Sequence, residues 1–245
     1  MFISKKSIIG IVKLSGIIST ETRLGSRGGL NLNDLSDSLT KAFSFKNIKA
    51  MVLLVNSPGG SPVQSALIAN RVRDLAREKE IPVYCFIEDL AASGGYWLSC
   101  AADKIYAMES SIIGSIGVIT AGFGAVEAIK KIGIERRVYT AGKNKSTLDP
   151  FLDEKKEDIE RLKNIQLDLH KDFIDVVEKS RGSKLKKSEV ELFSGEFWSG
   201  SKAKNLGLID NIGDANQILR EKYGEDVVIK KFEKSKSWLS KKLSS

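Results

Sequence analysis

An α/β fold with mostly parallel strands is predicted by three observations. The continuous apolar run Ala50–Val55 reads as a buried parallel strand, and Pro82–Ile87 as the next strand. Helically periodic segments separate them. The links between strand and helix are short, in a β-α-β-α-β order.

The elements follow in order. Ile8–Ile18 reads as a first strand, since Lys13 and Ser15 interrupt its apolar character. It is too short and too broken to span a bilayer and lacks a small-residue cleavage site, so neither an anchor nor a signal peptide is expected. A polar, Gly-rich stretch from Ser19 to Gly29 follows, then a helix on which Leu35, Leu39, Ala42 and Phe43 share a face. The strand at Ala50–Val55 ends in Asn56-Ser57-Pro58-Gly59-Gly60. Ser61 is placed to cap the next helix, with Pro62 at its first position. After Pro82–Ile87, Glu88–Gly95 forms a strand-to-helix turn and Tyr96–Ala101 begins a helix. Lys104–Met108 reads as a short strand, Ala125–Ile132 as a helix and Arg136–Thr140 as a strand. The last third is helical. Ile159, Leu162, Ile165, Leu169, Phe173 and Val176 keep one stripe up to about Gly182, followed by helices near Ser188–Phe193, Gly200–Leu206 and Asp214–Tyr223. No internal repeat or linker divides the chain, so one domain over residues 1–229 and a basic tail over 230–245 are expected.

With 245 residues, 42% apolar and 29% charged, the chain can build a sizeable core. The net charge of +8 is partly local: Lys230, Lys231, Lys234, Lys236, Lys241 and Lys242 face only Glu233. There is no zinc-finger spacing and no basic stripe interleaved with aromatics, so nucleic acid is not an expected partner. Cys85 and Cys100 read as buried small hydrophobes. No metal-ligand cluster and no cofactor motif is seen.

The chemistry must do without histidine, because the one present, His170, sits mid-helix among charged residues. Two Gly-rich turns follow two strands: Asn56–Gly60 and Ser93-Gly94-Gly95. Ligands bind at the carboxyl ends of strands in such sheets. A serine at a helix start is a candidate nucleophile there, and the amide of Gly94 with one from Gly59 or Gly60 is a candidate oxyanion hole. The candidate base is a lysine, which must be neutral to accept a proton. Lys143 and Lys145 both qualify by type, in Gly142-Lys143-Asn144-Lys145-Ser146.

The segments Asn56-Ser57-Pro58-Gly59-Gly60-Ser61, Ala92-Ser93-Gly94-Gly95-Tyr96 and Gly114-Ser115-Ile116-Gly117-Val118 resemble, in order and spacing, those of the signal peptide peptidase A (protease IV) family. Gly142–Pro150 is similar to the family's lysine segment. Phe193–Trp198 with Ala203 and Leu206–Asp210 is similar to its closing segment. The likeness covers roughly residues 7–222. It implies a Clp-protease/crotonase-like fold, a serine endopeptidase and peptide substrates such as remnant signal peptides. It implies Ser93 as nucleophile, Lys145 as base, a Ser115 hydroxyl that holds the lysine amine, and an oxyanion bound by Gly94 with Gly59 or Gly60. It also implies a ring-like homo-oligomer, as in the short members of the family. The competing readings are an acyl-CoA enzyme of the same fold, which would use acidic residues at strand ends, and a scaffold with a decayed site. A cytoplasmic location is expected. In the tail, Trp238, Leu239 and Leu243 would form an apolar stripe beside lysines, a contact for anionic membrane at its inner face.

Overall fold

The computed structural model describes residues 6–20, 29–186 and 191–233. They form two compact units, one of residues 1–117 and 173–245 and one of residues 118–172.

The first unit is built on one sheet. Its first strands are β1 (Ile8–Ser15), β2 (Ile48–Ser57) and β3 (Val83–Ala92). Helix α1 (Leu32–Phe43) separates the first pair, and α2 (Pro62–Lys79) the second. Helix α3 (Gly94–Ser99) follows β3 directly, and β4 (Lys104–Ala107) and β5 (Ile112–Gly114) come next. The C-terminal part supplies β6 (Phe197–Ser199), a helix Gly200–Asn205, β7 (Asn211–Ile212), a helix Ala215–Tyr223 and β8 (Val228–Phe232). The sheet runs β6-β5-β3-β2-β1-β8, with β4 between β3 and β7 off that path. Every pairing is parallel except β5 with β6.

The central strands are apolar on both faces because both faces are covered. In β2, Met51, Leu53 and Val55 join the larger core with α1, α2 and α3, while Ala50 and Val52 face a second cluster with Leu219. β3 divides in the same way, with Val83, Cys85 and Ile87 on one side and Tyr84 and Phe86 on the other. Alternation would have marked a half-solvated sheet; its absence marks layers on both sides. The expected Ser61 cap is present, its Oγ accepting from Gln64 N at 3.3 Å, and Asn31 caps α1, its Oδ1 accepting from Asp34 N at 2.8 Å.

The long helix spans Lys156–Arg181, close to the predicted stop at Gly182. Its last residue closes the fold. Arg181, buried to 2% exposure, donates from Nη1 to Asp210 Oδ2 at 2.8 Å and from Nε to the Gly207 carbonyl at 2.9 Å. Asp210 Oδ2 also accepts the Ile105 amide at 2.9 Å, which ties the segment Leu206–Asp210 to β4. Burial acts to raise the Asp210 pKa, yet hydrogen bonds from Lys184, Arg181 and Ile105 hold it well below the usual carboxylate range.

Several expectations fail. Glu88–Ala92, expected in a strand-to-helix turn, continue β3. Residues 134–140 pair with no strand, so Arg136–Thr140 is not one; Arg136 instead binds Asp149 through Nη2 at 2.9 Å. Around Ser188–Phe193 no helix forms at residues 191–193, which are turn and loop, and 188–190 lie outside the described residues. Lys230, Lys231 and Phe232, which the sequence reading assigns to the tail, lie in β8 and pair with Gly10, Ile11 and Val12. The expected membrane-facing stripe at Trp238, Leu239 and Leu243 falls outside the described residues. Among the described residues no helix is long and apolar enough to cross a membrane.

Candidate active site

The site begins with a division of labour along β3. Its first half, Tyr84–Ile87, pairs with β4; its last part, Leu90–Ala92, pairs with β5. The crossover between β4 and β5 is tied down by Ser111, whose hydroxyl accepts from Met108 N at 3.1 Å and donates to the Glu88 carbonyl at 2.6 Å. This sets the register Ala92↔Gly114. One residue further on, Ser93 and Ser115 therefore leave neighbouring parallel strands at the same level. The Ser93 amide donates to the Gly114 carbonyl at 2.8 Å.

Both serines have positive φ, 51° at Ser93 and 53° at Ser115. Non-glycine residues rarely adopt such values, and strain of this kind costs about 1–3 kcal/mol. Surrounding bonds enforce it. Ser93 is fixed by its amide bond to Gly114 and by the Tyr96 and Trp97 amides, which donate to its carbonyl at 2.9 and 3.1 Å. Ser115 N donates to the Glu196 carbonyl at 2.6 Å. Each serine is half-buried, at a strand end.

The Asn56–Gly60 turn closes on this spot. Ser57 Oγ donates to the Gly16 carbonyl at 2.7 Å and accepts the Gly59 amide at 3.1 Å. Gly59 then passes so near Ser93 that an added Cβ would stand 2.7 Å from Gly94 N, 2.8 Å from Ser93 Cβ and 2.9 Å from the Ala92 carbonyl oxygen. Glycine alone fits without a shift of its neighbours, and its φ of 97° independently disfavours a side chain. The two candidate amides of this turn differ. The Gly59 N–H is used by Ser57. Ile18 bridges Gly60 by donating to the Gly59 carbonyl and accepting from Ser61 N, both at 2.8 Å. In a parallel bridge of that kind the Gly60 N–H faces away from Ile18, toward the β3 side, and Gly60 is exposed. Gly94 begins α3, so its N–H has no intrahelical acceptor. Ser93, Ser115, Gly59, Gly60 and Gly94 thus meet at the carboxyl ends of β2, β3 and β5.

Lys145 and Lys143 belong to the second unit and are exposed. Lys145 sits in a run of consecutive turns, with its amide donating to the Gly142 carbonyl at 3.2 Å. Ser57 is the residue that sequence reasoning passed over: it reads as an ordinary turn residue, and only the fold shows its hydroxyl holding Gly59. Among the described residues no group of acidic, histidine or cysteine side chains could hold a metal ion. The buried thiols of Cys85 and Cys100 are unpaired as a disulfide, and burial pushes both up to about 12.

The model of peptidase family S49 matches residues 75–227, a span that contains Ser93, Gly94, Ser115 and Lys145. The chain belongs to peptidase family S49. This S49 chain is 32% identical over 247 residues to the protein named signal peptide peptidase SppA in Enterococcus faecium, covering 96% of the chain and 71% of that protein. It is 52% identical over 236 residues to a Brucella abortus protein named Na(+)/H(+) antiporter NhaA. That match covers 96% of the chain but only 32% of the Brucella protein's length. The architecture also resembles a solved structure, a lysine-to-alanine mutant of the 1510-N membrane-bound stomatin-specific protease in complex with a substrate peptide. The TM-score is 0.58 at 16% identity, over 98% of this chain and 97% of the other. The α/β fold with mostly parallel strands expected from the sequence is therefore the one observed.

Proposed function

We propose that the chain is a serine endopeptidase with Ser93 as nucleophile and Lys145 as general base. The observation that carries this reading is the strained Ser93, held at the end of β3 beside Ser115 and pressed against the glycine turn of β2. Strain of this kind persists where surrounding structure enforces it, and it concentrates at functional sites.

In the proposed reaction the neutral Lys145 amine takes the Ser93 hydroxyl proton as Oγ attacks the peptide carbonyl. The negative charge on the tetrahedral oxygen is bound by the Gly94 amide and by that of Gly60, whose N–H has no acceptor among the described residues while Gly59's is used. The protonated lysine then gives its proton to the leaving amine. Water, deprotonated by the same amine, hydrolyses the acyl-enzyme and restores Ser93. The Ser115 hydroxyl is assigned to hold the lysine amine. A carboxylate base is not favoured, since no acidic residue ends β2, β3 or β5.

The proposed substrates are unfolded apolar peptides, remnant signal peptides among them, because an extended chain can lie along the strand ends next to the glycines. A substrate peptide accompanies the solved neighbour, which supports peptides as the class. A ring-like homo-oligomer larger than a dimer is part of the proposal. Its support is the surface of the second unit, where Ile119, Phe123, Ile132 and Tyr139 are exposed and only Asp158 is buried among the described residues. Exposed apolar residues of that kind mark interaction surfaces. Light scattering on an active monomer would remove this part.

The test of the central reading is labelling with a fluorophosphonate and hydrolysis of an unfolded apolar peptide. Ser93→Ala and Lys145→Ala should each abolish turnover, and Lys143→Ala should keep most of it. Wild-type turnover by Ser93→Ala, or an active Lys145→Ala beside an inactive Lys143→Ala, would overturn the assignment.

A further inference from the structure

We propose that Thr147 and Asp149 are positioning residues for Lys145, clamping the turn that carries it on either side of a strained Leu148. This inference rests on the reading of Lys145 as the base.

The segment after Gly142 is a ladder of tight turns. Lys145 N donates to the Gly142 carbonyl, Thr147 N to the Asn144 carbonyl and Asp149 N to the Ser146 carbonyl, at 3.2, 3.4 and 3.3 Å. The last two bonds are long, so backbone bonding alone holds the lysine loosely. Yet Leu148, within this ladder, has a φ of 56°. A leucine adopts that value only when its neighbours impose it.

Two side chains supply the constraint. Thr147 Oγ1 donates to the Asn144 carbonyl at 2.7 Å, the shortest bond in the turn, and so closes the loop around Lys145 and Ser146. The same hydroxyl lies 3.5 Å from Asp158 Oδ1, too far to compete for its one proton, and Asp158 is paired with Arg161 on the first turns of the long helix. Asp158 is the one buried side chain among the described residues of this unit, so the threonine rests on the unit's most enclosed point. On the other side of Leu148, Asp149 Oδ2 accepts from Arg136 Nε and Nη2 at 3.3 and 2.9 Å, and Oδ1 accepts the Phe151 amide at 3.0 Å. The clamps lie two and four residues beyond Lys145, and neither engages its ammonium. Their role is to fix the backbone from which the lysine reaches.

The experiment compares full-length Thr147→Val, Thr147→Ser and Asp149→Asn with wild type and with Lys145→Ala. Steady-state hydrolysis of one unfolded peptide is followed from pH 7 to 9, with thermal melts as a check on folding. Thr147→Val keeps the shape and deletes the donor. It should lower kcat about tenfold or more at unchanged KM, because a lysine less firmly held in place reaches the productive geometry less often. Thr147→Ser should restore kcat. Asp149→Asn should behave as Thr147→Val does, and it decides the matter if the valine variant melts early. Wild-type kcat in both variants would overturn the positioning role, as would a serine variant as impaired as the valine one. An active Lys145→Ala would instead bring down the assignment of the base itself.

Discussion

Gly59→Ala separates backbone strain from steric contact at the proposed site. The φ of 97° costs an L-residue about 1–2 kcal/mol. The new methyl would stand 2.7–2.9 Å from Gly94 N, Ser93 Cβ and the Ala92 oxygen, distances that real Cβ atoms do not show. Two of those three atoms are backbone, so the strand end itself must shift, at a cost of about 1–3 kcal/mol. Together these give a destabilisation of about 2–5 kcal/mol. Gly224 provides the control: its φ is 96°, but an added Cβ meets nothing within 4 Å. Gly224→Ala should therefore show the conformational part alone. Urea unfolding of both variants measures the difference. Fluorophosphonate labelling of Gly59→Ala should also slow by about a hundredfold, since a shift of tenths of an ångström at Ser93 and Gly94 spoils the attack geometry. Equal destabilisation of the two variants, with labelling of Gly59→Ala at the wild-type rate, would refute the close approach of the two turns.

Further outcomes are expected. The Cys85 and Cys100 thiols are raised from 9.0 to about 12 by burial, so their contribution is intact below about pH 9 and is lost as pH rises toward 12. Each should cost about 1.4 kcal/mol per pH unit above 9, so unfolding at pH 10.5 should be easier by about 4 kcal/mol than at pH 8, and Cys85→Ala/Cys100→Ala should flatten that slope. Arg181→Met removes the most deeply buried partner of Asp210, which keeps Lys184 and the Ile105 amide, and should cost about 1–3 kcal/mol by urea unfolding; no measurable loss would contradict its place in the closing knot. If the tail contacts membrane as expected from its sequence, the full chain should float with anionic liposomes at low salt and a chain ending after Glu233, which keeps β8, should not. Equal flotation of both would exclude the tail as a membrane contact.

Much of the candidate site was legible in the chain because its residues are contiguous. Ser93-Gly94-Gly95 and Asn56–Gly60 each follow a strong apolar run, and both the run and the turn are local signals. The long helix and its stop were legible for the same reason. Arg136–Thr140 misled because its residue types suit a strand, whereas a strand exists only if another offers it a ladder. β5, β6 and β7, two or three residues each, carry no periodicity, and β8 was hidden among the lysines. Ser115 was accordingly readable only by resemblance. The sequence by itself determined the α/β class, the parallel core strands and the two glycine turns, since each is written in neighbouring residues. The tertiary structure alone decided that Ser93 and Ser115 stand side by side and that Ser57 takes the Gly59 amide and leaves that of Gly60. These facts depend on strand register and on hydrogen bonds between residues far apart in the chain, which no local pattern encodes.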